Sequence, residues 1–331
     1  MKISRPSLAG LIQNNVQWIA LLVLLAVFSV AAPAFFTWAN FMQVLNACAV
    51  VGLVAIGLAL VVMAGGFDLS VAAMMLVGGM IFGILFVNQD VAVGLAIFLS
   101  LVATSGLGLV NGIIITKAKL PPIIATYATM FVFTGLSLAL GRGMPIYNIE
   151  GPVFSFLGQG KLAGIPMPAV IFIAFAVIAY LVIRMTSFGR AIYTVGGNEK
   201  AAHMSGIGVD RTRISTYIIS GFLCGIAGLI VTSRLEYANV LAGTVSGYAV
   251  TLLDAITAVM IGGISIFGGE GRMYGLIGGV LLIIVLGNGM SILGLGDIVY
   301  MLAKGLLVLL AVGLDIYFRT GRLRKRERVK A

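Results

Sequence analysis

The sequence predicts an all-α membrane protein with about ten transmembrane helices and with both its N- and C-termini in the cytoplasm. Composition is the first observation behind this prediction. Of the 331 residues, 60% are hydrophobic and only 10% are charged, and the mean hydropathy is +1.14. Soluble domains carry about a quarter charged residues, because charge covers a surface that faces water. A soluble protein with a single hydrophobic core is therefore disfavoured.

Ten apolar runs are the second observation. A helix needs about 20 mostly apolar residues to cross a hydrocarbon core. The third and sixth runs are short, which favours either little tilt or a broken helix that its neighbours shield from lipid. The runs are Gln17–Phe36, Phe41–Met63, Val71–Val87, Val91–Thr116, Ile123–Leu140, Pro168–Ile183, Ile214–Val231, Val250–Ile266, Met273–Leu293 and Ile298–Ile316.

The distribution of positive charge is the third observation, because cytoplasmic loops carry an excess of Lys and Arg. If the N-terminus is cytoplasmic, the inside segments hold 17 of the 21 Lys and Arg residues. The outside segments hold three, Arg142, Lys161 and Arg234, and Lys304 falls within the tenth run. This split supports an even number of spans. The first run, which follows the first positive residues, is expected to remain as a span and not to be removed as a signal peptide.

The polar segments are short enough to predict one transmembrane domain over residues 1–331. They are a periplasmic loop at about 141–167, a cytoplasmic loop at about 185–213 and a basic cytoplasmic tail at 319–331. The net charge of +10 lies in these short segments and not on one continuous face. This distribution argues against a nucleic-acid partner and for a lipid bilayer.

Small residues indicate how the helices pack. Glycines four residues apart let helix backbones approach closely where lipid supplies no hydrophobic driving force. Cys48 and Cys224 lie in apolar runs and are expected to be small buried hydrophobes. The glycine pairs are Gly79/Gly83, Gly108/Gly112, Gly221/Gly225 and Gly275/Gly279.

The sequence contains little that could catalyse a reaction. His203 is the single histidine, so a histidine metal cluster is not expected. No Gly-x-Ser-x-Gly motif and no phosphate-binding P-loop occur. We therefore expect no catalytic site, no metal and no cofactor in this chain, and an intramembrane enzyme is disfavoured. If ATP drives the protein, the ATPase is a separate chain.

The loop at 185–213 predicts a short helix over about Glu199–Ser205. Asn198 is a good N-cap, Glu199 places negative charge at the positive helix end, and Gly206 suits the position after the last turn. A helix of about seven residues is marginal alone in water. The pattern therefore favours either an ordinary capped loop helix or a helix that a docking partner holds in place.

Three ordered motifs carry a resemblance to a known family. The loop motif runs Gly-Arg-x-Ile-Tyr-x-x-Gly-Gly-Asn-x-x-Ala-Ala-x-x-Ser-Gly-Ile, the second motif is Gly65–Val71, and the third is Leu253–Gly263 followed by Phe267–Arg272. Over nearly the whole chain, the sequence resembles the permease subunits of the ribose/xylose/arabinose/galactose class of bacterial ABC importers. The loop motif occupies Gly189, Arg190, Ile192, Tyr193, Gly196, Gly197, Asn198, Ala201, Ala202, Ser205, Gly206 and Ile207.

The resemblance implies a multi-pass subunit of the bacterial inner membrane that translocates a sugar or sugar-like solute. It implies three protein partners: a cytosolic ATPase that carries ATP and Mg, a periplasmic solute-binding protein, and a second permease in a homodimer or paired heterodimer. The sequence departs from the family's pattern at Ala72-Ala73 and at Glu270, and these departures leave the resemblance intact. The residues expected to couple to the ATPase are Gly196, Gly197, Asn198, Glu199, Ala201, Ala202, Ser205 and Gly206.

Polar side chains at membrane depth are candidates for the translocation path, because an ionisable residue at a helix centre costs about 2.5–3.5 kcal/mol on insertion scales. Each candidate also has a structural interpretation. Ser70 could cap the helix after Asp68, and the Asn111 and Asn288 amides could join helices. Lys304 could pair with either of the two acids Asp68 and Asp254. The predicted path residues are Asp68, Ser70, Asn111, Asn288 and Lys304.

Two other transport functions stay open. An ion- or proton-coupled secondary carrier needs an ionisable relay at membrane depth, and here the candidates are few and scattered. A passive channel is the second, but a channel function would not explain the capped cytoplasmic helix. The residues do not distinguish a pentose, a hexose, a furanose or a sugar-derived signal as the solute.

Overall fold

The computed structural model describes residues 15–239, 248–296, 298–310 and 313. The predicted basic tail and the end of the tenth apolar run lie outside these residues. In chain order the elements are α1 (Val16–Ala31), α2 (Trp38–Met63), α3 (Val71–Gly83, continued by a π-helical turn over Ile84–Asn88), α4 (Val93–Lys117), α5 (Pro122–Leu140), α6 (Pro152–Gln159), β1 (Lys161–Leu162), β2 (Ile165–Pro166), α7 (Met167–Met185), α8 (Ser187–Gly197), α9 (Glu199–Met204), α10 (Val209–Leu235), α11 (Tyr248–Ile261), α12 (Met273–Ile292) and α13 (Ile298–Leu310).

Ten of these helices coincide with the ten apolar runs of the sequence. Among the residues that the structure describes, seven helices are long and apolar enough to cross a membrane: α2, α3 with its π-helical turn, α4, α5, α7, α10 and α12. Helices α1, α11 and α13 are apolar but shorter. The prediction of an all-α polytopic membrane protein is confirmed. The count of ten spans stays a prediction.

Helices α2, α3 and α10 form the centre of the bundle. Every residue of α2 from Cys48 to Met63 is buried, and most of α3 is buried as well. The buried parts of α2 and α3 are almost entirely apolar, as is expected of helices that are buried on every side. Helices α4, α5, α7 and α13 expose large hydrophobic side chains such as Phe131 and Leu302. Such a surface suits contact with lipid.

Glycines set the distance between central helices. A Cβ atom at Gly108 of α4 would lie 2.1 Å from the Tyr217 carbonyl oxygen of α10, and one at Gly221 would lie 2.3 Å from the Thr104 carbonyl oxygen. A Cβ at Gly279 of α12 would lie 2.1 Å from a carbonyl oxygen of α11. The prediction that these glycines permit close packing is confirmed. The two cysteines are free and buried, as expected.

The predicted periplasmic loop has elements of its own, because α6 and the β1–β2 hairpin lie within residues 141–167. Gly158 of α6 donates its amide proton to Ser233 Oγ of α10 at 2.9 Å, and that hydroxyl donates to the Phe154 carbonyl oxygen at 2.5 Å. The Phe154 ring stacks on Phe82 with their centroids 3.9 Å apart. The loop is therefore attached to one end of α10.

Candidate functional site

The break between α2 and α3 holds a buried carboxylate. The chain turns at Gly65, which has φ +78°, and Asp68 lies fully buried beyond the turn. Asp68 Oδ1 accepts hydrogen bonds from the Ser70 amide at 3.0 Å and from Ser70 Oγ at 2.7 Å. Its Oδ2 accepts from Ser220 Oγ of α10 at 3.2 Å. Asp68 thus joins the break to the central helix.

The expected capping role of Ser70 was wrong. Ser70 occupies the N-cap position of α3, but its side chain accepts no bond from the helix. The reason is that its hydroxyl donates to Asp68 and accepts instead from Asn111 Nδ2 at 2.7 Å. Three of the predicted path residues therefore form one network. Asn111 Oδ1 is buried and has no hydrogen-bond partner among the described residues.

Asp68 has no salt-bridge partner among the residues that the structure describes. Its carboxylate oxygens are bonded instead by the Ser70 amide and by the hydroxyl groups of Ser70 and Ser220. Such hydrogen bonds favour the charged form of a buried carboxyl group and offset part of the cost of its burial.

A second polar cluster joins α11 and α13. Lys304 Nζ donates to Asp254 Oδ1 at 2.8 Å, and the Tyr300 hydroxyl donates to the same oxygen at 2.8 Å. Lys304 and Asp254 are each 5% exposed. The structural interpretation of Lys304 as half of an ion pair is thus confirmed, and both members of the pair are buried. The sequence did not point to Tyr300.

Asn288 of α12 joins that helix to α2. Its Nδ2 donates to Asn40 Oδ1 at 2.7 Å, and Asn40 Nδ2 donates to Asn288 Oδ1 at 3.0 Å. This reciprocal pair satisfies amides that would be costly to leave unpaired. Asn40 was not predicted as a functional residue, because the second apolar run was taken to begin one residue later, at Phe41.

The predicted cytoplasmic helix is present as α9. Asn198 Oδ1 accepts from the Ala201 amide at 3.0 Å, and Gly206 has φ +77° just beyond the last turn. The helix ends at Met204, one residue earlier than predicted. Ala202 is buried, whereas Ala201 and Ser205 are exposed. The predicted capping of α9 is confirmed.

Helix α8, which precedes α9, was not predicted. Its first turn is capped by Thr186 Oγ1, which accepts from the Gly189 amide at 3.1 Å. Gly196 and Gly197 therefore form the last turn of a helix, whereas the sequence suggested loop residues beside a helix. The capping residue Thr186 could have been recognised in the sequence as the start of a helix. The glycines of this segment argued against a helix, because each lowers helix propensity by about 1 kcal/mol.

Glycines from three segments meet at one point, which we term the glycine junction (Gly65, Gly196, Gly197, Gly268 and Gly269). A Cβ atom at Gly196 would lie 1.9 Å from the Met63 carbonyl oxygen and 2.6 Å from the Gly269 nitrogen. A Cβ at Gly269 would lie 2.5 Å from the Gly197 Cα atom. The Gly269 amide donates to the Met63 carbonyl oxygen at 2.9 Å. The end of α8, the end of α2 and the turn between α11 and α12 are thus in direct backbone contact.

Side chains strengthen this junction. The Tyr193 hydroxyl of α8 donates to the Gly271 carbonyl oxygen at 2.7 Å. Arg213 at the start of α10 donates to Glu199 Oε2 of α9 at 2.8 Å and to the Ala64 carbonyl oxygen at 3.4 Å. Burial raises the pKa of Tyr193, with the Arg272 charge opposing it, so this phenol stays a proton donor at neutral pH.

Comparison with known proteins places this geometry in a family. The family described as "Branched-chain amino acid transport system / permease component" matches residues 40–312. The chain belongs to this family of permeases. All the candidate residues described above lie within the matched range. The resemblance inferred from the three motifs is therefore confirmed, and the permease is a transport component with several apolar helices.

Individual relatives cover most of the permease. It is 40% identical over 308 residues to the ribose import permease protein RbsC of Bacillus subtilis, an alignment that covers 92% of this chain and 94% of the relative. It is 32% identical over 301 residues to the L-arabinose transport system permease protein AraH of Escherichia coli, covering 90% of each chain. It is 30% identical over 370 aligned positions to the xylose transport system permease protein XylH of Haemophilus influenzae, covering 92% and 96%. No solved structure matches the permease.

Proposed function

We propose that this chain is the membrane-spanning permease subunit of an ATP-driven importer in the bacterial inner membrane, which translocates a sugar or sugar-like solute delivered by a periplasmic binding protein. The similarity to the ribose relative, 40% over 92% of the chain, carries this proposal. The xylose and L-arabinose relatives are similar over nearly the same length. Since all three are named for pentoses, a pentose is the first solute to test.

The proposed topology has ten spans with both termini in the cytoplasm and a single domain over residues 1–331. Two independent features support it. The apolar helices coincide with the ten runs, and 17 of the 21 Lys and Arg residues fall on one side. The glycine junction then lies on the cytoplasmic side and α6 on the periplasmic side.

The proposed coupling site is the segment from Gly196 to Gly206, on which the ATPase with its ATP and Mg would dock. Exposed residues of α9 offer a contact surface, since Met204 is 88% exposed. The glycine junction supports a route from this segment to the ends of α2 and α11. A rearrangement at α9 would reach the bundle through backbone contacts and the Arg213–Glu199 ion pair.

The proposed path runs between this chain and a second permease copy, as a homodimer or a paired heterodimer. Asp68, Ser70 and Asn111 would shape the break between α2 and α3 beside that path. Asn288 of α12 and Lys304 of α13 would lie beside the same path. Each of the five is bonded to another part of the protein, so each also holds helices together.

Transport assays in liposomes test the function. The chain would be reconstituted with its ATPase and binding protein, and uptake of labelled D-ribose, D-xylose and L-arabinose would be measured. We expect uptake that needs ATP hydrolysis and survives collapse of the proton gradient. Uptake that needs the gradient and ignores ATP would instead identify an ion-coupled carrier, for which the buried Asp68 is the single candidate acid without a charged partner among the described residues.

A further inference from the structure

A cleft of about 530 Å³ lies between α2, α12 and α13. Its polar lining consists of Gln43, Asn288, Ser291 and Tyr300, and apolar side chains such as Ile283 complete the wall. Small-molecule sites have volumes of about 300–1,000 Å³ and combine an apolar wall with a few polar groups. The size and lining of this cleft match that description.

The polar groups of the cleft have unused hydrogen-bonding capacity. Gln43 and Ser291 are exposed, and neither side chain bonds to another described residue. The Tyr300 hydroxyl donates to Asp254, so its oxygen remains free to accept. The Asn288 amide uses one proton and one lone pair on Asn40 and keeps one of each. Donors and acceptors of this number suit a polyhydroxylated ligand.

Apolar lipid is a poor occupant for this cleft. A polar group that faces hydrocarbon without a partner is costly, and four polar side chains here line the same space. On the lipid-facing helix α4, by contrast, the Ser105 hydroxyl is satisfied by the Leu101 carbonyl oxygen of its own helix at 2.7 Å. The lining therefore points to water or to a hydrated solute.

The position of the cleft separates it from the glycine junction. Gln43 lies near the start of α2, Ser291 near the end of α12, and Tyr300 near the start of α13. Helix α2 rises 1.5 Å per residue, so the 20 residues from Gln43 to Met63 place the two features about 30 Å apart. The charge distribution assigns the cleft to the periplasmic end.

We propose that this cleft is the entry subsite for the transported sugar, in which Gln43, Ser291 and Tyr300 bond its hydroxyl groups after release from the binding protein. The proposal rests on the proposed function and deepens it by assigning residues that receive the solute. The Asn40–Asn288 pair and the Asp254–Lys304 pair hold the walls of the cleft.

The experiment uses the complete reconstituted importer with labelled D-ribose, D-xylose and L-arabinose in parallel, so that the best-transported pentose serves as the probe. Ser291→Cys would be treated from outside with a charged methanethiosulfonate reagent, which reacts in water and not in lipid. The native Cys48 and Cys224 are buried and give little background. We expect modification of the Ser291→Cys variant to lower maximal uptake at least tenfold. We also expect excess sugar to slow the modification. Gln43→Leu, which loses hydrogen bonds, should lower maximal uptake about fivefold.

The matched control is Ser29→Cys, an exposed serine of α1 whose hydroxyl bonds its own helix. We expect no change in its uptake with or without the reagent. An unreactive Ser291→Cys, or a modified one with unchanged uptake, would overturn the entry subsite. If the parent importer keeps ATP-dependent uptake in that case, the proposed function stands and only the subsite fails.

Discussion

At the scale of single residues, Asp68 and Lys304 show two ways in which a charge is kept inside the bundle. Lys304 has an opposite charge at 2.8 Å. Asp68 has only hydroxyl and amide donors, from Ser70 and Ser220. Hydrogen bonds to the charged form offset part of the cost of burial, but a paired charge offsets more. The two residues should therefore respond differently to substitution.

The Asp254–Lys304 pair should behave as one unit. Removing one partner of a buried pair costs about 3–5 kcal/mol, whereas replacing both is often near neutral. We expect Lys304→Met and Asp254→Asn each to lower the free energy of unfolding strongly, and the double variant to recover most of the loss. Denaturant unfolding in detergent measures all three. The control is Lys117→Met, because the Lys117–Asp210 pair is exposed and should contribute at most about 1 kcal/mol.

Sequence reasoning reached part of this residue chemistry. The cost of burying Lys304 predicted an acidic partner, and the structure supplies Asp254. The partner could not be chosen beforehand, since the two residues are 50 positions apart and only the packing of α11 against α13 brings them together. The Ser70 capping role failed for a similar reason, because a distant amide, Asn111, competes for its hydroxyl.

At the scale of helices, α8 and α9 illustrate which local sequence features are sufficient to predict a helix. Helix α9 was predicted from its caps alone, since Asn198 and Gly206 satisfy its ends within the segment. Helix α8 was missed because its glycines reduce local helix propensity. Those glycines exist for a tertiary reason, namely the contact of Gly196 with α2.

Gly196→Ala should weaken coupling between ATP hydrolysis and uptake. A Cβ atom there would lie 1.9 Å from the Met63 carbonyl oxygen, so α8 and α2 must separate. Substitutions along coupled elements change coupling by about 0.5–2 kcal/mol, or about 2- to 30-fold. We expect less sugar transported per ATP hydrolysed, in that range.

The control for Gly196→Ala is Gly94→Ala on α4, where a Cβ would meet nothing within 4 Å. Both variants gain the same methyl group in a helix. If both gave the parental ratio of sugar to ATP, the glycine junction would have no role in coupling.

At the scale of the whole molecule, hydropathy predicted the helices and charge predicted their orientation. The outer loop was less predictable, because α6 and its hairpin depend on contacts with Ser233 and Phe82 and not on their own sequence. Long apolar helices are recognisable from local sequence, whereas short elements need their tertiary surroundings.

The orientation can be tested with two exposed lysines. Lys161 should face the periplasm and Lys200 the cytoplasm. In intact cells we expect an impermeant maleimide to label Lys161→Cys, and to label Lys200→Cys only after the membrane is opened. The buried native cysteines keep the background low. The reverse pattern would invert the proposed topology.

Helix α10 has a consequence for how the two faces of the protein communicate. It has 27 residues and is therefore about 40 Å long. One end bears Arg213, which is bonded to Glu199 beside the glycine junction, and the other bears Ser233, which is bonded to α6. In the proposed topology, this one continuous helix connects the cytoplasmic and periplasmic surfaces. If the proposed ATPase docks on α9, a spectroscopic probe on α6 should register its nucleotide state from the opposite side of the membrane.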